Sequence, residues 1–239
     1  MSFTLTKNNA LRLAQIGTVA VNDDRREVLQ HVRLEFRTDG VLVATATDSY
    51  RLAVMTFIVD TFDADAPGVD LLVPAKEFGD AIKGVLKLMP KEDKDKNVIL
   101  LPFTEYHHQV RVFGGTLDGP VATVVDRTGA AKFPNVAQLF DGQTMDGIDR
   151  FNTTEMRVVG EGTVLPTFDG GYMADMDKLH GTTQVLKRGM SPWQMSWIPK
   201  TSDFPHNAGF QPWVWASKDK EETMGICYMQ MPVNPNRRN

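Results

Sequence analysis

The chain has 239 residues, 42% apolar and 23% charged, which gives room for one large domain or two of roughly 120 residues each, with a core that needs no staples. Its net charge of −4 excludes a surface coated in positive charge, but not a basic surface confined to one place, because placement of Lys and Arg matters more than their sum. The single Cys227 cannot close an internal disulfide, which suits a reducing cytoplasm. No run approaches the ~20 apolar residues of a membrane span, and the start MSFTLTKNNALRL lacks the basic-then-apolar order of a signal peptide.

In chain order, residues 6–20 read as a helix capped by Thr6, with Leu11, Ala14 and Ile16 near helical spacing and Asn8, Arg12 and Gln15 on the polar side. NDDRRE (22–27) follows as a loop. VRLEF (32–36) alternates, with Val32, Leu34 and Phe36 on one face, and Thr38-Asp39-Gly40 is a turn. VLVATATD (41–48) and RLAVMTFIV (51–59) are rich in β-formers; the acidic DTFDADAPGVD (60–70) is a loop. Residues 71–89 give a short strand and then a helix opened by Pro74. Phe78, Ile82, Val85 and Met89 form its apolar stripe; Lys76, Asp80, Lys83 and Lys87 form a second, mostly basic one. PKEDKDKN (90–97) is a charged turn, and 98–103, 108–115 and 120–127 read as strands. Residues 127–147 are small, polar and turn-prone around Phe133-Pro134, and read as a domain boundary.

Beyond that boundary, 151–162 reads as a short helix capped by Asn152. Residues 172–189 read as another helix, weakened by Gly181 and two threonines. Residues 193–199, 210–217 and 225–233 read as strands, and the tail NPNRRN as disordered. Strand-rich segments flanking a few helices make the fold class α+β rather than a regular parallel βαβ repeat.

Several groupings of residues bear on function. The lysines of 71–89, with Lys7, Arg12, Arg25 and Arg26, supply cations at intervals along helices, as sequence-independent binding of a nucleic-acid backbone requires. Taken alone, such a stripe is the ordinary solvated face of a helix. The hairpin in ATATDSYRLAV presents Asp48, Ser49, Tyr50 and Arg51, and the closing CYMQMPV carries adaptable methionines suited to gripping apolar peptides. Trp193, Trp197, Trp213 and Trp215 fit a core or interface better than a base-stacking platform. His31, His107, His108, His180 and His206 show no metal-ligand spacing, DADAPGVD lacks the spacing of a calcium loop, and no phosphate-binding or nucleophile motif is present. An unrecognised hydrolase therefore lacks any acid–base constellation to work with. Neither catalysis nor a cofactor or metal is expected.

Four segments carry a resemblance, and they occur in the family's order. TATDSYRLAV (45–54) resembles the ATDG-x-RLA segment of the bacterial sliding clamp, the beta processivity subunit of the replicative polymerase. LLVPAKEFGDAIKGVLK (71–87) resembles that family's VP strand and helix, GAAKFPNVAQLF (129–140) its FPDY boundary, and CYMQMPV (227–233) its closing YVVMPMRL. Ser49 stands where the family has glycine, Asn135-Val136 replaces the DY pair, and residues 141–225 match poorly. The resemblance implies two clamp domains, 1–130 like the family's middle domain and 131–239 like its last, with helices lining a channel against outer antiparallel sheets.

It also implies a pocket for short partner peptides between the two domains, formed by Leu29, Thr47, Ser49, Tyr50, Arg51, Leu52, Pro134, Leu139, Met229, Met231 and Pro232. Arg51 and Tyr50 would fix the peptide's orientation. Lys178, Lys187 and Arg188 would extend the cationic surface onto the second domain. The implied function is to encircle duplex DNA without sequence preference and to tether a polymerase, with a clamp loader as second partner. Six domains close such a ring, so two per chain imply a homotrimer. Bacterial motifs in a two-domain chain point to a phage acting in its host's cytoplasm. The alternative is a monomeric accessory protein that keeps the fold and binds partner peptides without encircling DNA.

Overall fold

A computed structural model of the chain describes residues 2–20, 24–59, 68–90, 97–103, 108–125, 132–136, 169–197, 213–219 and 223–230. The chain opens with a strand the sequence reading missed, β1 (Phe3–Thr6), which buries Phe3 and Leu5 and turns Thr6 outward. Thr6 then caps α1 (Lys7–Leu13), its hydroxyl accepting the Asn9 N–H at 3.3 Å. The helix expected over 6–20 is thus shorter. After Ala14 the chain tightens into a 3-10 turn, Ile16–Val19. Gly17 and the β-branched Thr18 and Val19 are weak helix formers. A Cβ on Gly17 would lie 3.2 Å from the Ala75 carbonyl, so this turn packs tightly against that residue.

The expected loop 22–27 overlaps further 3-10 turns over Asp24–Gln30, broken at Arg26. The strands that follow agree with their patterning: β2 (His31–Phe36), β3 (Val41–Thr47), β4 (Arg51–Ile58) and β5 (Val69–Pro74). Pro74 then leads into α2 (Ala75–Leu88), which buries Phe78, Ile82, Val85 and Leu86. A meander completes the first half: β6 (Asn97–Phe103), β7 (Gln109–Gly114) and β8 (Val121–Val125).

In the second half, the helix expected over 172–189 is two helices. Asp169 caps α3 (Gly170–Leu179) by accepting the N–H of Gly171 at 2.7 Å and of Tyr172 at 3.2 Å. Gly181 ends the helical path with φ 108°, and a Cβ there would meet the Leu186 Cβ at 2.2 Å. Thr183 restarts the chain as α4 (Gln184–Lys187) by accepting the Leu186 N–H at 3.3 Å. Strands β9 (Gln194–Trp197), β10 (Trp213–Lys218) and β11 (Met224–Gln230) form a second meander. The helix expected over 151–162 and the tail lie outside the described residues.

All strand pairing among the described residues is antiparallel. One sheet has the order β1-β6-β7-β8; the other runs β5-β2-β3-β4-β11-β10-β9 and so crosses from one half of the chain to the other. The main core lies between these sheets and the helices, with Phe3, Phe36, Phe57, Phe78, Ile82 and Tyr228 fully buried. Trp215 joins it beside Tyr228, and Trp193 stacks on His180 at 4.3 Å. Both are packing residues, as expected over a stacking platform. No helix among the described residues is long and apolar enough to cross a membrane.

Helices α1 and α2 touch where Gly79 faces Ala14; a Cβ on Gly79 would come 2.9 Å from the Ala14 carbonyl, whereas Gly84 faces open space. Gly79→Ala is therefore expected to lower the unfolding free energy by about 1–3 kcal/mol. Gly84→Ala, in the same helix, should raise it by about 0.5–1 kcal/mol. Urea melts of the two variants check the contrast; equal effects would mean the helix contact is looser than described.

Candidate functional site

Successive side chains of a strand point to opposite faces. On β3, β4 and β11, Leu42, Ala53, Met55, Ile226 and Tyr228 face the main core. The alternate residues Val43, Leu52, Val54, Cys227 and Met229 form a second apolar cluster on the other face, joined by Phe133 and Val136 from the boundary segment. An antiparallel sheet usually gives water one of its faces. Here both faces are apolar where the two halves of the chain meet.

The structure brings Leu52 and Met229 together as direct cross-strand partners, both buried in this cluster. Pro134 is exposed between Phe133 and Val136. Leu29 is buried but is not part of the cluster. Leu139, Met231 and Pro232 lie outside the described residues. Sequence reading missed Val43, Val54, Phe133, Val136 and Cys227. The signal for Val54 was available: RLAVMTFIV is apolar at every position but Arg51 and Thr56, the mark of a strand buried on both faces.

The β3–β4 hairpin is held by its own side chains. Thr47 donates its hydroxyl to the Arg51 carbonyl at 2.7 Å and accepts the Ser49 N–H at 3.2 Å. One Asp48 carboxylate oxygen accepts the N–H groups of Tyr50 and Arg51, both at 2.9 Å. Ser49 sits at φ 79°, the left-handed region where the clamp pattern carries glycine. Its hydroxyl accepts from Arg26 at 2.9 Å, and Tyr50 at the tip is 60% exposed.

Arg51 does not reach outward as expected. Its guanidinium is buried, donating to Asp48 at 2.7 Å, to Asp175 of α3 at 2.5 Å and to the Thr18 carbonyl at 3.1 Å, and lying 4.3 Å from the centre of the Tyr172 ring. Burial opposes its charge, but the hydrogen bonds it donates to Asp175 and Asp48 outweigh that and leave its pKa raised. Arg51 is a rivet between the first-half hairpin and the second-half helix. Asp175 and Tyr172 were invisible to sequence reading because nothing local marks a partner so distant in the chain.

The cationic face divides in the same way. Lys7 on α1 and Lys76, Lys83 and Lys87 on α2 are exposed on the sides turned away from the core, with Asp80 among them. A groove of about 680 Å³ opens between the helices, lined by Gln15, His31, Lys76, Asp80 and Lys83 among others. Arg12, expected on this face, is instead buried: it donates to the carbonyls of Leu186, His180 at 3.4 Å and Arg188 at 3.1 Å, and to Asn9 at 3.0 Å. Arg26 is drawn to the hairpin tip, and the Arg25 side chain lies outside the described residues. Lys178 pairs with Asp175 at 2.6 Å, Lys187 pairs with Asp177, and Arg188 is exposed.

The Asp175 carboxyl is pushed up by burial but held below its ordinary value of 3.8 by hydrogen bonds from Arg51 and Lys178. A carboxyl with a depressed folded pKa contributes stability above its unfolded pKa and loses it as pH falls through the folded value. Asp175→Asn is therefore expected to be less stable than the unmodified protein at pH 7, with the gap closing below the ordinary carboxylate range. Urea melts at pH 7 and pH 3 check this; a gap unchanged by acid would mean the pair adds nothing through charge.

Residues 5–116 match the sequence family described as DNA polymerase III beta subunit, central domain. No curated protein matches the chain by sequence. Among solved structures, the sliding clamp of Bacillus subtilis aligns with 98% of this chain at TM-score 0.58 and 16% identity, and the DNA polymerase III beta chain of Streptococcus pneumoniae with 98% at 0.60 and 13%. A Pseudomonas aeruginosa sliding clamp bound to griselimycin aligns with 98% at 0.53 and 16%. The chain spans 64% of the length of the B. subtilis clamp, 65% of the S. pneumoniae protein and 65% of the P. aeruginosa one. The architecture is that of the sliding clamps.

Proposed function

We propose, from the match of residues 5–116 to the beta-subunit central-domain family and the sliding-clamp fold of the chain, that this protein is a processivity clamp that encircles duplex DNA and tethers a polymerase. The observation that carries the reading is the apolar cluster around Leu52 and Met229, placed where first-half and second-half strands share one sheet. Apolar floors with a few polar groups at the rim are the usual design of a peptide site. Tyr50, exposed at the hairpin tip, supplies part of that rim.

In this reading residues 1–130 and 131–239 are two clamp domains, and three chains supply the six domains of a ring. The lysines of α1 and α2 turn toward the hole and contact phosphates without reading bases. No bond is made or broken. Processivity comes from effective concentration, since a polymerase held by a short peptide rebinds before it diffuses away. A loader ATPase opens the ring, and the setting is the cytoplasm of a bacterium.

Griselimycin, bound by one matched clamp, provides a probe. Calorimetry should show it binding this protein, with affinity reduced roughly tenfold or more by Leu52→Asp, a change that places a charge within the buried apolar cluster. Tyr50→Ala, at an exposed position, serves as the variant that cannot fail through misfolding. Binding unchanged in both, or absent in the unmodified protein, counts against the pocket. In the same preparations, Lys83→Glu with Lys87→Glu should weaken DNA binding and flatten its salt dependence; an unaltered salt slope would show that this stripe faces away from DNA.

A further inference from the structure

A helix leaves the N–H groups of its first turn without partners in its own backbone, and those groups and the helix dipole favour an anion there. Helix α2 is 14 residues long, and no side chain caps its start at Pro74. Ala75 and Lys76 of its first turn line the groove of about 680 Å³ between the helices. Such an end is commonplace by itself. What sets this one apart is the pair of polar atoms beside it.

His31 stands directly opposite Pro74 in the ladder between β2 and β5, and it lines the same groove. It is 4% exposed, and its Nε2 has no hydrogen-bond partner. The Thr18 hydroxyl, from another segment lining the groove, is buried and equally without a partner. Buried polar atoms are nearly always paired, by protein, water or a bound group. Two unpaired ones at an uncapped helix start point to a partner from outside the chain.

The chemistry of that partner follows from the imidazole. Nδ1 of His31 lies 2.8 Å from the Glu27 carbonyl. A carbonyl only accepts, so Nδ1 holds the ring proton and Nε2 of the neutral ring is an acceptor. It needs a ligand atom that carries a proton. The helix start, Lys76 and Lys83 favour negative charge, but Glu27, Glu77 and Asp80 line the groove as well and oppose a polyanion. A phosphate monoester holding one proton meets both demands. It carries one negative charge, an O–H to donate and further oxygens to accept.

We propose that this groove binds a phosphate monoester, whose protonated oxygen donates to His31 Nε2 while its other oxygens accept from Thr18, Lys76 and the first turn of α2. The site goes beyond the clamp reading. Phosphates inside a DNA strand are diesters without that proton, and neither the ring nor the peptide pocket enters the argument.

Calorimetry on the full chain at pH 6, where a phosphate monoester still holds its second proton in part, compares methyl phosphate, dimethyl phosphate and sulfate. Methyl phosphate should bind about tenfold tighter than the other two, as expected for one hydrogen bond to a charged group. Thr18→Val keeps the side-chain shape and the carbonyl that Arg51 uses, and should weaken methyl phosphate about tenfold; His31→Phe should do the same. Should His31→Phe disturb folding by circular dichroism, Thr18→Val and Lys76→Met, the latter at an exposed position, decide the matter. Equal binding of dimethyl phosphate or sulfate, binding that survives Thr18→Val and Lys76→Met, or no binding of methyl phosphate overturns the site. A 5′-phosphorylated duplex that binds more tightly than its 5′-hydroxyl twin would assign the monoester to a DNA end; equal binding of the two, with methyl phosphate still bound, would assign it to a free phosphorylated molecule. Either result supports the site.

Discussion

The ladder between β4 and β11 is the constraint on which the rest of the structure depends. It joins strands more than 160 positions apart into one seven-stranded sheet. Because strand side chains alternate, this one seam also sorts residues into two bodies. Ala53, Met55, Ile226 and Tyr228 go to the main core; Leu52, Val54, Cys227 and Met229 go to the outer cluster. A slip of one residue would exchange the two sets and destroy both at once. The candidate peptide site is therefore a direct consequence of register.

The helical side is fastened differently. Two arginines of the first half reach into the second: Arg12 to carbonyls at the C-terminal ends of α3 and α4, and Arg51 to Asp175. Guanidinium suits this work, since it stays charged and offers several donors in a fixed plane. A buried ion pair is a weak source of net stability, but removing one partner leaves a buried charge without compensation. These contacts fix how the halves sit more than how strongly they adhere. The main attraction comes from apolar burial in the shared sheet.

Much of this was legible in the sequence. The first-half strands announced themselves by β-branched runs between turn residues, and Thr6 and Pro74 marked real helix starts. Leu52 and Met229 were reached through the resemblance, and the structure places them opposite each other. What failed did so for physical reasons. β1 has only four residues, too few for its alternation to stand out, while the helix expected over 6–20 gives way to a 3-10 turn after Ala14 and Gly181 ends the path of α3 although apolar spacing continues past it. The cations were the hardest. Arg12 and Lys83 look alike in sequence, yet one is buried against carbonyls 168 to 176 positions away and the other is exposed. Charge alone does not distinguish a rivet from a contact to phosphate.

The exposed lysines of α1 and α2 and the apolar cluster on the opposite side of the shared sheet are two separate surfaces of one chain. The proposed ring would give each a role: inward to DNA and outward to partner peptides. Electron microscopy of the purified protein tests that geometry most directly. The account predicts class averages of a ring with a central opening wide enough for a double helix; solid particles of single-chain size, at high concentration and with DNA present, would contradict it.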